Sequence, residues 1–241
     1  TQYYIRVSGT NSSCGDGAAS TAKLTQTLHS TPQQVSLSSA TGCTYTTANN
    51  YGFSANWSAE GDSDKYEVDL SILSDFSDSV ETFTTNLTTQ AFISLSAGTE
   101  YFYRVRGIND SASGPYSTTQ SKITIPPPVE NLTTANETCA GCMDISFDAA
   151  TGATTYDVYV AVDSAFQTLI SNYDPINISS TTLQVCGLTK GQAYHIKVLA
   201  KNDCGDSLGL TTATVIPPEV PTAYAATDIT SNSFTANWSQ S

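Results

Sequence analysis

Gly98-Thr-Glu-Tyr-Phe-Tyr-Arg-Val-Arg-Gly-Ile-Asn-Asp110 returns along the chain as Gly191-Gln-Ala-Tyr-His-Ile-Lys-Val-Leu-Ala-Lys-Asn-Asp203. The opening Thr1-Gln-Tyr-Tyr-Ile-Arg-Val-Ser-Gly-Thr-Asn11 is a third copy. Each copy alternates apolar with polar residues, the period of a strand with one buried face. A second motif recurs as Phe53-Ser-Ala-Asn-Trp57, Met143-Asp-Ile-Ser-Phe147 and Phe234-Thr-Ala-Asn-Trp238, with aromatic ends spaced 90 and 91 residues apart. Self-similarity at one fixed period identifies a repeat architecture. Pro126-Pro-Pro128 and Pro217-Pro218 fall between the copies, where linkers belong. Two complete repeats are therefore expected over 31–125 and 126–216, flanked by partial ones over 1–30 and 217–241.

The combination of an aromatic residue on the second strand, Tyr66 or Tyr156 on the third, and the corners Leu95-Ser-Ala-Gly98-Thr-Glu-Tyr101 and Leu188-Thr-Lys-Gly191-Gln-Ala-Tyr194 resembles the fibronectin type III family. Phe147 stands where that family usually has Trp. The resemblance covers the whole chain and implies tandem all-β, seven-stranded sandwiches in a linear rod. It makes Trp57, Phe147 and Trp238 core residues. Tyr3, Tyr101 and Tyr194 become corner tyrosines, with rings packed inward and hydroxyls bonded to upstream backbone. Residues 1–30 would then supply only strands F and G, and 217–241 only A and B. Half sandwiches expose core faces and strand edges, so the chain is expected to be a window on a longer polypeptide. Tyr66–Phe76 and Tyr156–Phe166 further resemble repeats in secreted surface proteins of the Bacteroidota.

Composition agrees with that class. The 241 residues are rich in Ser, Thr, Asn and Tyr, favouring strands and turns, and no long helical periodicity occurs. Nine Lys and Arg face 22 Asp and Glu, giving a net charge of −13, which argues against nucleic acid and anionic membranes as partners. No apolar run approaches the roughly 20 residues of a membrane span, and Thr1-Gln-Tyr-Tyr-Ile reads as a strand rather than a leader.

Six cysteines in such a chain suggest disulfides. Cys139-Ala-Gly-Cys142 lacks a redox or zinc context: no βαβ pattern accompanies it, and no second Cys or His pair stands at ligand spacing. In the implied sandwich, Cys142 begins strand B and Cys186 ends its neighbour E, so these two can pair. Cys204 lies in an F–G loop at the end facing the preceding repeat, within reach of Cys43 in that repeat's A–B region. A Cys43–Cys204 bridge between repeats is therefore expected, with Cys14 and Cys139 pairing to repeats outside the window.

Other surface signals are weaker. Asp-Ser-apolar triplets place Ser79, Ser111, Ser164 and Ser207 in loops, resembling a bacterial O-glycosylation signal. Asn86, Asn131, Asn136 and Asn177 stand in Asn-x-Ser/Thr sequons, which matter in a eukaryotic source. Acidic groups at 62–64, 75–78 and 203–206 form no calcium loop of the EF-hand type. His29 and His195 have no visible nucleophile or carboxylate partner, so neither catalytic group nor cofactor or metal site is expected. No Arg-Gly-Asp occurs; the nearest approach is Arg106-Gly-Ile108.

These readings converge on a structural or adhesive stalk at the cell surface or in an extracellular filament, and not on an enzyme. Its expected partners are adjacent repeats of the same polypeptide, with other copies or a surface glycan or protein as further ones. The alternatives are a ligand-binding module using the F–G and B–C loops, near which Tyr51 and Tyr116 are the only candidate aromatics, and a spacer in a secreted polysaccharide-degrading enzyme.

Overall fold

The structure, a computed structural model, describes residues 2–239 apart from 9, 12–14, 17, 18, 22, 27–29, 47–49 and 137–140. Cys14, Cys139 and His29 lie outside the described residues. Among the described residues the regular secondary structure is entirely strand. The first strands are β1 (Gln2–Ile5), β2 (Thr10–Asn11), β3 (Gly15–Asp16) and β4 (Lys23–Gln26). A larger group follows: β5 (Leu37–Thr46), β6 (Asn50–Trp57), β7 (Lys65–Ser71), β8 (Glu81–Thr85), β9 (Thr89–Leu95), β10 (Glu100–Ile108) and β11 (Gln120–Ile123). The second large group comprises β12 (Glu130–Asn136), β13 (Met143–Asp148), β14 (Thr155–Ala161), β15 (Ile176–Ile178), β16 (Thr182–Val185), β17 (Ala193–Asn202), β18 (Gly205–Asp206) and β19 (Leu210–Val215). β20 (Ala223–Thr227) and β21 (Thr235–Trp238) end the chain.

Both large groups build the same two sheets. One has the order β5-β6-β9 in the first group and β12-β13-β16 in the second. The other runs β11-β10-β7-β8 and, correspondingly, β19-β17-β14-β15. This three-on-four arrangement is the order that the fibronectin type III resemblance implies. It arises because hairpin-connected strands pair antiparallel while the A–B and E strands close the opposite layer. β7 and β10 pair from Lys65 opposite Ile108 to Ser71 opposite Phe102, and β14 and β17 repeat that register from Thr155–Lys201 to Ala161–His195.

Side-chain alternation supplies each core. In β13, Met143, Ile145 and Phe147 are buried while Asp144, Ser146 and Asp148 are exposed. In β17, Tyr194, Ile196, Val198 and Ala200 face inward. Together with Val158 and Val160 of β14 and Val185 of β16, they form one cluster with contributions from both sheets. Phe147 takes an edge-on position against Tyr156 at 4.9 Å, as Trp57 does against Tyr66 at 5.5 Å. The two strand-C tyrosines also repeat a polar contact: Tyr66 Oη accepts from Glu60 N, and Tyr156 Oη from Ala150 N.

The chain divides into two compact units. One holds Thr1–Thr41, Ser54–Phe92 and Tyr101–Lys122; the other holds Gly42–Phe53, Ile93–Glu100 and Ile123–Ser241. Within the first, Phe92 packs against Phe83 and Tyr103, beside Val68, Leu70 and Val105. The second therefore contains ends of β5, β6 and β9 as well as the whole β12–β19 sandwich. Trp238 departs from the core position expected of it. Trp57 and Phe147 are buried, but Trp238 is 65% exposed. The reason is that β20 and β21 form a two-stranded sheet alone, with no facing sheet among the described residues.

Candidate functional site

Within the second unit, the end of β5 meets the turn between β17 and β18. Cys43 and Cys204 are joined there by a disulfide, with Cα atoms 5.5 Å apart, a normal span for the bond. Cys204 is held in its turn because its backbone N–H donates to Asn202 Oδ1 at 2.8 Å. In the same unit two glycine backbones abut. Gly98 (φ +56°) and Gly152 (φ +69°) both lie in the left-handed region. A Cβ on Gly98 would sit 1.9 Å from the Thr151 carbonyl oxygen, and one on Gly152 would sit 2.3 Å from that of Gly98. Only glycine meets both demands. The sequence marks Gly98 through its corner motif; Gly152 carried no such signal.

A second disulfide, Cys142–Cys186, ties the start of β13 to the residue after β16, with Cα atoms 4.0 Å apart. Leu188 N donates to Gly141 O just beyond it. The neighbouring corner is closed by Tyr194, whose buried ring carries a hydroxyl that accepts from Thr189 N at 2.9 Å. Tyr101 occupies the same inward phase of β10 but is only half-buried, Tyr103 being the fully buried ring there. Tyr3 lies in β1; its side chain is outside the described residues.

In the first unit, the outward face of β7 and β10 carries a stack of cations and rings. Arg104 lies between Phe76 at 4.1 Å and Tyr116 at 4.0 Å, and Arg106 reaches the Tyr116 ring at 4.6 Å. Arg104 is also paired with the buried Asp69 at 2.9 Å. Tyr116 Oη donates to Glu67 at 2.8 Å. Burial first, and then these acidic neighbours, push the Tyr116 phenol well above its usual range. Phe76 reaches Arg104 from a left-handed backbone position (φ +55°), and Phe166 (φ +55°) repeats the conformation in the second unit, over Lys197. There Lys201 pairs with the buried Asp157 at 2.7 Å, and that hydrogen bond raises the Lys201 ammonium above its ordinary range. The two aromatics expected for a ligand surface are thus both engaged by the chain itself: Tyr51 is buried, and Tyr116 is half-buried in the outward stack.

Ser79, Ser111 and Ser164 are exposed. Ser207 is not, which corrects its placement among accessible loop serines. It is 5% exposed, its Oγ accepts from Ala200 N at 2.9 Å, and its hydroxyl donates to Leu208 O. Ser117 makes the equivalent bonds to Val105 N and Thr118 O. Among the sequons, Asn131 and Asn177 donate to Asp148 and Asp157, whereas Asn86 is exposed in the connection from β8 to β9, which crosses between the two sheets.

Two loop aspartates, one of them in the 75–78 group, have a local structural use. The Asp163 carboxylate accepts from the amides of Gln167, Thr168 and Ala165, which holds it below the usual carboxylate range. Asp75 is lowered by Ser77 in the same way. Among the described residues, no group of three or more potential ligands could hold a metal ion. His195 sits half-buried on β17.

No family profile and no curated protein matches the chain. Among solved structures it is similar to the chicken CNTN1 FN1–FN3 domains, at 16% identity over 90% of this chain and 76% of that one, with a TM-score of 0.41. It is also similar to a structure described as FN3tt mut, at 17% identity over 38% of this chain and 97% of that one, with a TM-score of 0.34. No helix among the described residues is long and apolar enough to cross a membrane. The two disulfides fit an extracellular setting, because disulfides persist in oxidising compartments.

Proposed function

We propose that this chain is part of the repeat array of a long extracellular stalk or filament, structural or adhesive rather than catalytic. The repeats would run over 31–125 and 126–216, with 1–30 and 217–241 belonging to neighbouring ones. The observation that carries the reading is the Cys43–Cys204 bridge, which links positions 161 residues apart. A covalent tie from the A–B region of one repeat to the F–G turn of the next removes freedom at the joint without occupying a binding surface. Cys14 and Cys139 would make corresponding ties to further repeats. Sugar on Ser79, Ser111 and Ser164, together with the net charge of −13, would keep the array apart from its neighbours. Ligand contacts, with a surface glycan or protein, belong elsewhere on the polypeptide in this reading, since Tyr51 is buried and Tyr116 is taken up by Arg104 and Arg106. The test is the mass of the native polypeptide, reduced and denatured, from its source. A mass several times 25.5 kDa is expected, and one near that value would overturn the array reading.

A further inference from the structure

Asn202 ends β17 and Asn109 directly follows β10, the two long F-type strands, and they make corresponding bonds. Asn202 Nδ2 donates to Thr124 O at 2.8 Å and to Gly152 O at 3.0 Å, while its Oδ1 accepts from Cys204 N. Asn109 Nδ2 donates to Ser30 O at 2.8 Å and to Asp62 O at 2.7 Å, while its Oδ1 accepts from the amides of Ser111 and Ala112. Gly152 and Asp62 occupy the same turn, four residues before Tyr156 and Tyr66. Ser30 and Thr124 also correspond: each stands two residues before a proline, in Ser30-Thr-Pro32 and Thr124-Ile-Pro126.

The amide thus has three kinds of partner. One is the F–G turn that follows it and another is the B–C turn of its own sandwich. The third is the chain arriving from the preceding segment. The proline gives that arrival a reason: its ring holds the residue before it extended, which fixes the direction of the carbonyl one residue earlier. Small residues leave room for the segment. A Cβ on Gly107 or Gly114 would come within 3.1 Å of the buried Pro32, and Gly205 lies against Ile125. The backbone register recurs once more in β2–β3, where Asn11 pairs with Gly15 as Asn202 pairs with Gly205.

We propose that the end of each sandwich carrying this asparagine is a docking surface for an incoming extended segment of the form residue–x–Pro from the same polypeptide. Asn109 and Asn202 are its recognition groups. They seat the entering strand independently of the disulfide, which is present at only one of these two positions. The inference rests on the tandem-repeat reading, but its test uses the 241-residue chain alone and does not depend on the native mass.

The test begins from the Cys43→Ser/Cys204→Ser chain, so that the bridge cannot hide the effect. Asn202→Asp removes both donated bonds while keeping an acceptor for the residue 204 amide; Asn202→Ala removes all three. Limited proteolysis, mapped by mass spectrometry, compares cleavage over 122–130 with cleavage over 203–208. Both variants should open 122–130 roughly tenfold faster or more, the scale set by losing two hydrogen bonds at a locally opening segment. Only Asn202→Ala should also open 203–208. Parental cleavage of 122–130 in Asn202→Asp would overturn the proposal. If that variant unfolds the whole β12–β19 sandwich, Asn109→Asp decides: it should expose 30–34 with 65–71 still protected, and unchanged protection at 30–34 sinks the idea.

Discussion

The Cys142–Cys186 bridge offers a stability change that can be worked out from its position. It joins residues 44 apart in sequence and pins the end of β16, a strand of four residues whose last member, Val185, pairs with Met143. In the chain-entropy treatment, a closed loop of that length contributes about 4 kcal/mol at 25 °C by restricting the unfolded chain. A domain of ordinary stability has roughly 5–15 kcal/mol in total, so the bridge would be a large share of it. Cys142 is buried and Cys186 exposed, so Cys142→Ala/Cys186→Ser removes the bond without burying a new hydroxyl. Urea unfolding in a Trp238→Phe background leaves Trp57 as the only tryptophan and a reporter of the first unit. Near-ultraviolet dichroism and amide spectra follow the Phe147–Tyr156 region. The transition of the β12–β19 sandwich should move down by roughly 1–4 M urea at the slope of about 1–3 kcal/mol/M usual for small domains, while the Trp57 transition stays in place. A loss below about 1 kcal/mol would refute the entropic reasoning. It would mean that the Met143–Val185 pairing and the Leu188–Gly141 bond already hold this edge.

Gly98→Ala should cost more than Gly187→Ala. Both have positive φ, worth about 1–2 kcal/mol, but only Gly98 would also drive a Cβ against the Thr151 carbonyl, space around Gly187 being open; equal melting losses would contradict the close approach. Ser207→Ala should destabilise by about 1–3 kcal/mol, because it leaves the Ala200 amide without its partner. A loss under about 0.5 kcal/mol would instead mark the site as an ordinary surface position. Tyr116 should ionise later than a free phenol in an ultraviolet difference titration. Its folded form favours the neutral phenol, so its contribution to stability is complete below about pH 10 and is lost as the pH rises beyond that. A single tyrosine transition with its midpoint near 10 would count against the stack.

The fold was legible because its signal is a period. Alternation in 143–148 and 193–202 assigns each residue to a face, and the structure keeps that assignment, down to Phe147 filling the position usually held by Trp. Motif reading failed where identity does not determine environment. Ser164 and Ser207 stand in the same Asp-Ser-apolar triplet, yet one is exposed and the other is nearly enclosed. What separates them is that Ser207 follows a short turn that brings its hydroxyl onto the Ala200 amide, a consequence of strand register rather than of three letters. Trp238 shows the other dependence: it stands in a partial repeat, and an aromatic at a core position is buried only when a facing sheet is present.

The junction divides along the same line. The meeting of Cys43 with Cys204 depends on which end of a sandwich each loop occupies, and topology supplies that once the fold is assigned. The paired glycines and the amide that gathers the entering strand depend on carbonyl oxygens, which every residue carries and no side-chain pattern advertises. Asn109 and Asn202 stood in the first alignment of the chain with itself, as the last residues but one of the matched stretch. By residue type alone an asparagine in that place reads as a turn residue, because asparagine commonly closes turns. Their Oδ1 atoms do that. Their Nδ2 atoms donate to two backbone carbonyls, one of them from the arriving chain, and turn closure does not require those bonds. If turn closure were the whole role, aspartate would serve equally well at both positions. The difference between Asn202→Asp and its parent is therefore the point at which the turn reading and the docking reading separate.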